Sequence, residues 1–131
     1  MNAIVVDASA VIELLLRTRR SVVITDRILR DDVVLHAPHL IDVEVAQVLR
    51  RYALAGDLDA TRAGAALDDF VDIRIARHPM EPMLQRIWAL RHNMTAYDAA
   101  YVALAEALAA PLVTCDARLG SAAQDVMVEV L

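Results

Sequence analysis

The first signal along the chain is a short unbroken apolar run, Ile4-Val5-Val6, that ends on Asp7. Such a run of β-branched residues marks a strand buried on both faces, as in a parallel sheet. A helical stretch over Ser9–Leu16 follows, then a segment carrying Arg17, Arg19 and Arg20. Val23, Ile24, Ile28 and Leu29 recur at helical spacing and predict a second helix over Ser21–Arg30. Val33–His36 is the second strand, stopped by Pro38. From His39 to Ala55 the apolar stripe Ile41, Val45, Val48, Leu49, Tyr52 predicts a long helix, with Gly56 placed to end it.

Asp59–Val71 reads as a further helix, and Ile73-Arg74-Ile75 alternates like a strand at the sheet margin. Pro79 and Pro82 open a helix through Leu84, Ile87, Trp88 and Arg91. Thr95–Ala109 is helical, Leu112–Cys115 is a strand, and Val126–Val130 is a last short strand. No internal repeat, low-complexity tract or linker interrupts the series, so residues 1–131 read as one domain. Alternating strands and helices predict an α/β fold: a mainly parallel sheet of four to five strands with helices on both faces. In such a sheet the strands' C-terminal ends and the following helices' N-terminal ends share one edge, where ligands bind.

Composition narrows this. Hydrophobic residues make up 58% of the chain and aromatics only 4%, so Val, Leu, Ile and Ala must build the core. The one cysteine, Cys115, allows no intrachain disulfide. There is no secretory pattern at the start and no apolar run near the ~20 residues of a bilayer span. A cytoplasmic protein with no membrane partner is expected. The net charge is −5 and all 13 basic residues are arginines. Overall acidity excludes nucleic-acid binding by bulk electrostatics alone, but not binding through a divalent metal and placed arginines.

Asp7 and Asp116 directly follow strands, Asp98 sits in the first turn of a helix, and Glu44 in the second turn of another. All are thereby delivered to one sheet edge. Each also has a plain structural reading. Asp7 can be an N-cap, Asp116 can start a turn, and Asp98 fits a capping box with Thr95. Glu44 and Asp42 flank the apolar stripe on opposite sides, and periodicity does not choose between them. Asp98 is the hardest to dismiss. It and Glu106 are the only charged residues from Ala96 to Leu108, a stretch so apolar that it should be buried. A buried carboxylate costs several kcal/mol (order of magnitude) unless paired, and with no lysine in the chain an arginine or a metal must pair it. Clustered acids repel one another until a cation joins them, and Mg²⁺ favours oxygen ligands. Phosphodiester hydrolysis is the chemistry such a site suits.

Four segments carry a resemblance: Val5-Val6-Asp7-Ala8-Ser9-Ala10, Ala37 to Val45, Met94 to Ala105 with its Thr-x-Tyr-Asp-x-x-Tyr core, and Leu112 to Leu119 with Thr-Cys-Asp. In this order and spacing the chain resembles the PIN-domain nucleases, and within them the VapC toxins of bacterial toxin–antitoxin pairs. The resemblance implies a ribonuclease in which Asp7, Glu44, Asp98 and Asp116 hold Mg²⁺ or Mn²⁺ and activate water. It selects Glu44 over Asp42. It makes Asp7 and Asp98 the principal ligands, with Asp116 acting through water or orienting the nucleophile. Ser9, Thr95 and Thr114 are implied as hydroxyls that orient carboxylates or contact phosphate. It further implies an RNA substrate, a homodimer, and a heteromeric complex with a VapB-type antitoxin.

Other residues carry less. Arg17, Arg19, Arg20, Arg50 and Arg51 either guide RNA or form solvated faces and antitoxin contacts. His36 and His39 flank Pro38 without the partners of a zinc site. Cys115 has no histidine placed to activate it and reads as a small buried residue, and Trp88 reads as core. Receiver domains and haloacid-dehalogenase-type phosphatases rely on a lysine this chain lacks. The remaining rival is a catalytically silent PIN-like module that binds a partner and keeps its acids as caps.

Overall fold

A computed structural model describes residues 1–123 and 125–131. The elements run β1 (Asn2–Val6), α1 (Ala8–Leu15), α2 (Ser21–Ile28), β2 (Val33–Pro38), α3 (Leu40–Ala55), α4 (Ala60–Asp72) and β3 (Ile75–His78). A 3₁₀ turn (Glu81–Met83) leads into α5 (Leu84–Ala89), α6 (Ala96–Leu108), β4 (Leu112–Thr114), α7 (Ala117–Ala122) and β5 (Val128–Val130). The five strands form one sheet in the order β3-β2-β1-β4-β5, and every neighbouring pair is parallel. The predicted α/β class is what the chain adopts.

The strand order places the site. From β1 the chain steps outward to β2 and β3, then crosses back to β4 and steps out to β5 on the other side. Right-handed crossovers therefore put α1–α4 on one face and α5–α7 on the other. The packing agrees: α1 lies against α2, α3 and α4, and α5 against α6. The reversal falls between β1 and β4, and in such a sheet the crevice that takes ligands lies outside the C-terminal ends of that strand pair. Val5 lies opposite Leu112 and Val6 opposite Val113, so Asp7 comes out beside Thr114.

The core is aliphatic. Ile4, Val5, Val6, Leu112 and Val113 are buried, as is every residue of α6 from Ala99 to Ala105. Gly56 ends α3 in the left-handed region at φ 78°, the conformation its position predicts.

Several boundaries differ from expectation. The margin strand starts at Ile75 rather than Ile73, because Ile73 is still capping α4. The last strand is Val128–Val130, shorter than the apolar run that predicts it. On α2 only Ile24 and Ile28 turn inward, while Val23 and Leu29 are exposed. Trp88 is not a core residue: it is 68% exposed. Ile87 and Leu90 occupy the inner side of that short helix, and the Arg91 guanidinium covers the indole at 4.7 Å. No helix among the described residues is long and apolar enough to cross a membrane.

Candidate active site

The crevice between β1 and β4 is lined by hydroxyls and carboxylates. Asp7 is the N-cap of α1 and is only 7% exposed. Its Oδ1 accepts from Ser9 Oγ at 2.7 Å and from the Ala10 amide at 3.2 Å, and its Oδ2 accepts from Thr114 Oγ1 at 2.6 Å. Thr114, fully buried, also accepts from the Asp116 amide at 2.9 Å and lies 3.2 Å from Ser9 Oγ. Ser9 Oγ in turn accepts from the Cys115 amide at 2.9 Å. Two strand ends are thus stitched together by two hydroxyls, and the carboxylate of Asp7 is fixed from three sides.

Asp116 caps α7, its Oδ1 accepting from the Arg118 amide at 3.0 Å. Asp98 stands across the crevice in the first turn of α6, where Thr95 Oγ1 caps the helix by accepting from the Asp98 amide at 3.2 Å. The Arg118 guanidinium joins them: Nη2 lies 3.0 Å from Asp98 Oδ2 and 2.9 Å from Asp116 Oδ2. Sequence logic demands an arginine or a metal beside Asp98, and here an arginine takes that place.

Glu44 reaches the same cluster from α3. Its Oε1 accepts from the Tyr101 hydroxyl at 2.6 Å. Asp42, which periodicity leaves as an equal candidate, is committed elsewhere: Arg77 Nε donates to both of its oxygens at 2.8 and 3.0 Å.

Electrostatics tie the group together. Burial pushes the Asp7 carboxyl above its ordinary value, hydrogen bonds from Thr114, Ser9 and Ala10 pull against it, and the charge of Asp116 adds to the rise. Glu44 is also raised, first by burial, with Tyr101 opposing and the charges of Asp7 and Asp98 adding. Tyr101 is held far above the usual phenol range, first by burial and then by Glu44, so it remains a donor. The charges of Asp116, Asp7 and Asp98 thus add to what burial does at Asp7 and Glu44, and the four acids form an anionic pocket that attracts cations.

Of the residues expected here, Asp7, Ser9, Thr114 and Asp116 form one hydrogen-bonded network. Asp98 joins it through Arg118, and Glu44 lies within charge–charge reach of Asp7 and Asp98. Thr95 is exposed and serves as the cap of α6. Among the described residues no three His, Cys, Asp or Glu side chains stand close enough, as arranged, to cage an ion. His36 pairs with His78 at 2.8 Å rather than with His39. Cys115 is half-buried rather than buried, and burial pushes its thiol up. Arg20 reaches this edge and donates to the Cys115 carbonyl at 3.2 Å. Tyr101 and Arg118 are participants that the sequence reading does not single out. Tyr101 stands three residues beyond Asp98, one helical turn along, and that spacing holds a signal, whereas Arg118, two residues beyond Asp116, has none.

Residues 4–124 match the PIN domain. The chain belongs to the PIN-domain family. Its relatives place it in the VapC branch of that family. It is 42% identical over 123 residues to Ribonuclease VapC1 of Mycobacterium tuberculosis, covering 93% of this chain and 92% of the relative. It is 43% identical over 123 residues to Ribonuclease VapC9 of the same organism, covering 92% and 91%. Among solved structures, VapBC2 of Rickettsia felis, bound to a DNA fragment from its promoter, superposes with a TM-score of 0.74 at 12% identity, over 98% of both chains. VapC20 of Mycobacterium tuberculosis, a toxin that cleaves the sarcin–ricin loop, gives 0.69 at 16% identity, over 95% of this chain and 98% of that one. At those identities the two structures speak to the PIN fold alone.

Proposed function

We propose that this PIN-domain protein is a metal-dependent endoribonuclease toxin whose site is the carboxylate group Asp7, Glu44, Asp98 and Asp116. One observation carries the reading: buried Asp7 and half-buried Glu44 have raised proton affinities at the topological switch point of the sheet, with Asp98 and Asp116 beside them. The donor set is all oxygen, which fits Mg²⁺ or Mn²⁺. A guanidinium already bridging two of the acids supports the fit, because it is the positive charge this pocket draws in. Asp7 and Asp98 are the principal ligands in this reading, with Glu44 and Asp116 completing the shell. When bound, the ion supplies Lewis acidity toward phosphate and a more acidic water.

The chain's own residues do the rest. Ser9 and Thr114 hold the Asp7 carboxylate in one orientation, so no rotational freedom is lost when it engages a ligand. Tyr101 pins Glu44 through Oε1, which leaves its second oxygen uncommitted as a proton acceptor. Placed carboxylates and hydroxyls of this kind orient water for in-line attack on a phosphodiester.

The VapC relatives named ribonucleases support RNA as the substrate. A VapB-type antitoxin as partner follows from the VapC relatives, and the resemblance to VapC toxins implies a toxin homodimer within that heteromeric complex. Exposed Val43, Leu84, Trp88 and Tyr97 leave apolar surface for such contacts. Action in the cytoplasm completes the reading. Antitoxin-free chain is expected to cleave end-labelled RNA in Mg²⁺ or Mn²⁺, to stop in EDTA, and to resume when metal is restored. Cleavage that persists in EDTA overturns the metal role, and no cleavage of host RNA by folded protein turns the reading toward a silent binding module.

A further inference from the structure

Arg118 lies in the first turn of α7 with 64% of its side chain exposed, yet its Nη2 bridges two acids of the site, at 3.0 Å from Asp98 Oδ2 and 2.9 Å from Asp116 Oδ2. Arg27 and Arg77 lock the fold through single carboxylates, Glu129 and Asp42, and Arg86, which reaches both Glu106 and Asp125, does so away from the site acids. We propose that Arg118 is a displaceable internal counter-ion: it holds Asp98 and Asp116 in the metal-free protein, yields them to a divalent cation, and then grips a phosphate of the bound RNA. The proposal rests on the metal-nuclease reading above.

Occupancy decides the first half. Mg²⁺ takes oxygen ligands at about 2.1 Å, so an ion sharing both Oδ2 atoms would fill the space Nη2 now takes, beside a like charge. Guanidinium and cation therefore exclude one another at these oxygens. Exposure decides the second half. An ion pair open to water to this degree is weak and costs little to break. Once released, the side chain stays tethered to α7 at the crevice mouth, beside the acids that position the scissile group. Its planar fork of donors suits two phosphate oxygens better than any lysine would.

The test is calorimetric titration of Mg²⁺ into metal-stripped wild type, Arg118→Gln, Arg118→Lys and Arg20→Gln, with KM for a short RNA measured at saturating Mg²⁺. Arg20→Gln removes the same charge from the same edge, but its contact is the Cys115 carbonyl rather than a carboxylate. Arg118→Gln is expected to tighten Mg²⁺ binding about two- to fivefold, the range open to a solvent-exposed pair, while raising KM for RNA. Arg118→Lys should stay near wild type for Mg²⁺ but not for KM, because lysine keeps the charge and loses the fork. A merely structural role would weaken metal and RNA together through a loosened α7, so opposite signs are the signature. Unchanged or weaker Mg²⁺ binding in Arg118→Gln overturns the proposal, as does an equal gain in Arg20→Gln. Wild type that binds no divalent cation overturns this proposal and the metal-nuclease reading at once. Wild type that binds and cleaves while Arg118→Gln leaves Mg²⁺ affinity unchanged removes the counter-ion alone.

Discussion

Asp7→Asn is expected to abolish RNA cleavage and, in the same sample, to raise the melting temperature of the metal-free chain. The two effects share a cause. Asp7 is 7% exposed and its folded-state proton affinity is raised, mainly by burial. The folded chain thus binds this proton more tightly than the unfolded chain does. The ionised carboxylate costs nothing below the unfolded value of 3.8, begins to destabilise as pH rises above it, and exerts its full penalty once pH passes the raised folded value. Asparagine is neutral throughout and can rebuild the local network, its oxygen accepting from Ser9 and Ala10 and its amide donating to Thr114. At neutral pH the variant should therefore melt at a higher temperature than wild type. That gain should shrink toward zero as pH falls to the unfolded carboxyl value. Cleavage should drop by roughly a hundredfold or more, as for loss of a ligand or its close support. Melting curves in EDTA across pH, beside a cleavage assay, check both halves. Equal stability at neutral pH would show that the buried charge is already compensated, and full activity would remove Asp7 from the chemistry.

Thr114→Val should be among the most damaging single changes for stability. The hydroxyl of this fully buried residue donates to Asp7 and accepts from the Asp116 amide, and valine is close to it in shape but makes neither bond. Each group left unpaired out of water costs about 1–3 kcal/mol, so a loss of roughly 2–4 kcal/mol is expected. Removal of its strongest compensating hydrogen bond also pushes the Asp7 carboxyl further up, which weakens any bound cation. Thr114→Ser keeps the hydroxyl, loses one methyl group, and should retain most of both stability and activity. Denaturant unfolding of the two variants separates the hydroxyl from the methyl. Equal losses in both would assign the role of Thr114 to packing.

The parts of this molecule legible in its sequence are those that local rules determine. The unbroken Ile4-Val5-Val6 run could only be a buried strand, and Gly56 falls where a left-handed cap is needed. The apolar stretch around Asp98 announces a buried helix. A capping role also does not take an acid away from the candidate site. Asp7 and Asp116 are true N-caps and still face the crevice, because a helix that follows a parallel strand starts at the very edge where ligands bind. Features that depend on a distant partner were not legible. Nothing local in α3 distinguishes Glu44 from Asp42. What separates them is Tyr101 on α6 and Arg77 on β3. Helix α7 spans six residues, too few for a periodic stripe, and so the position of Arg118 beside two acids stays hidden. Trp88 misleads for a similar reason: α5 is barely longer than one turn, and a wheel that short does not fix which side faces inward.

Asp98→Asn tests the central claim most directly, because the carboxylate of Asp98 contacts Arg118 at the surface and its capping amide is backbone, so the fold should not depend on its charge. Purified, antitoxin-free wild type and variant would be incubated with end-labelled RNA in Mg²⁺ or Mn²⁺, with melting curves recorded on the same preparations. The carboxylate-centred nuclease predicts cleavage by wild type and none by an Asp98→Asn chain that melts at the wild-type temperature. Cleavage of equal rate by the folded variant would contradict it.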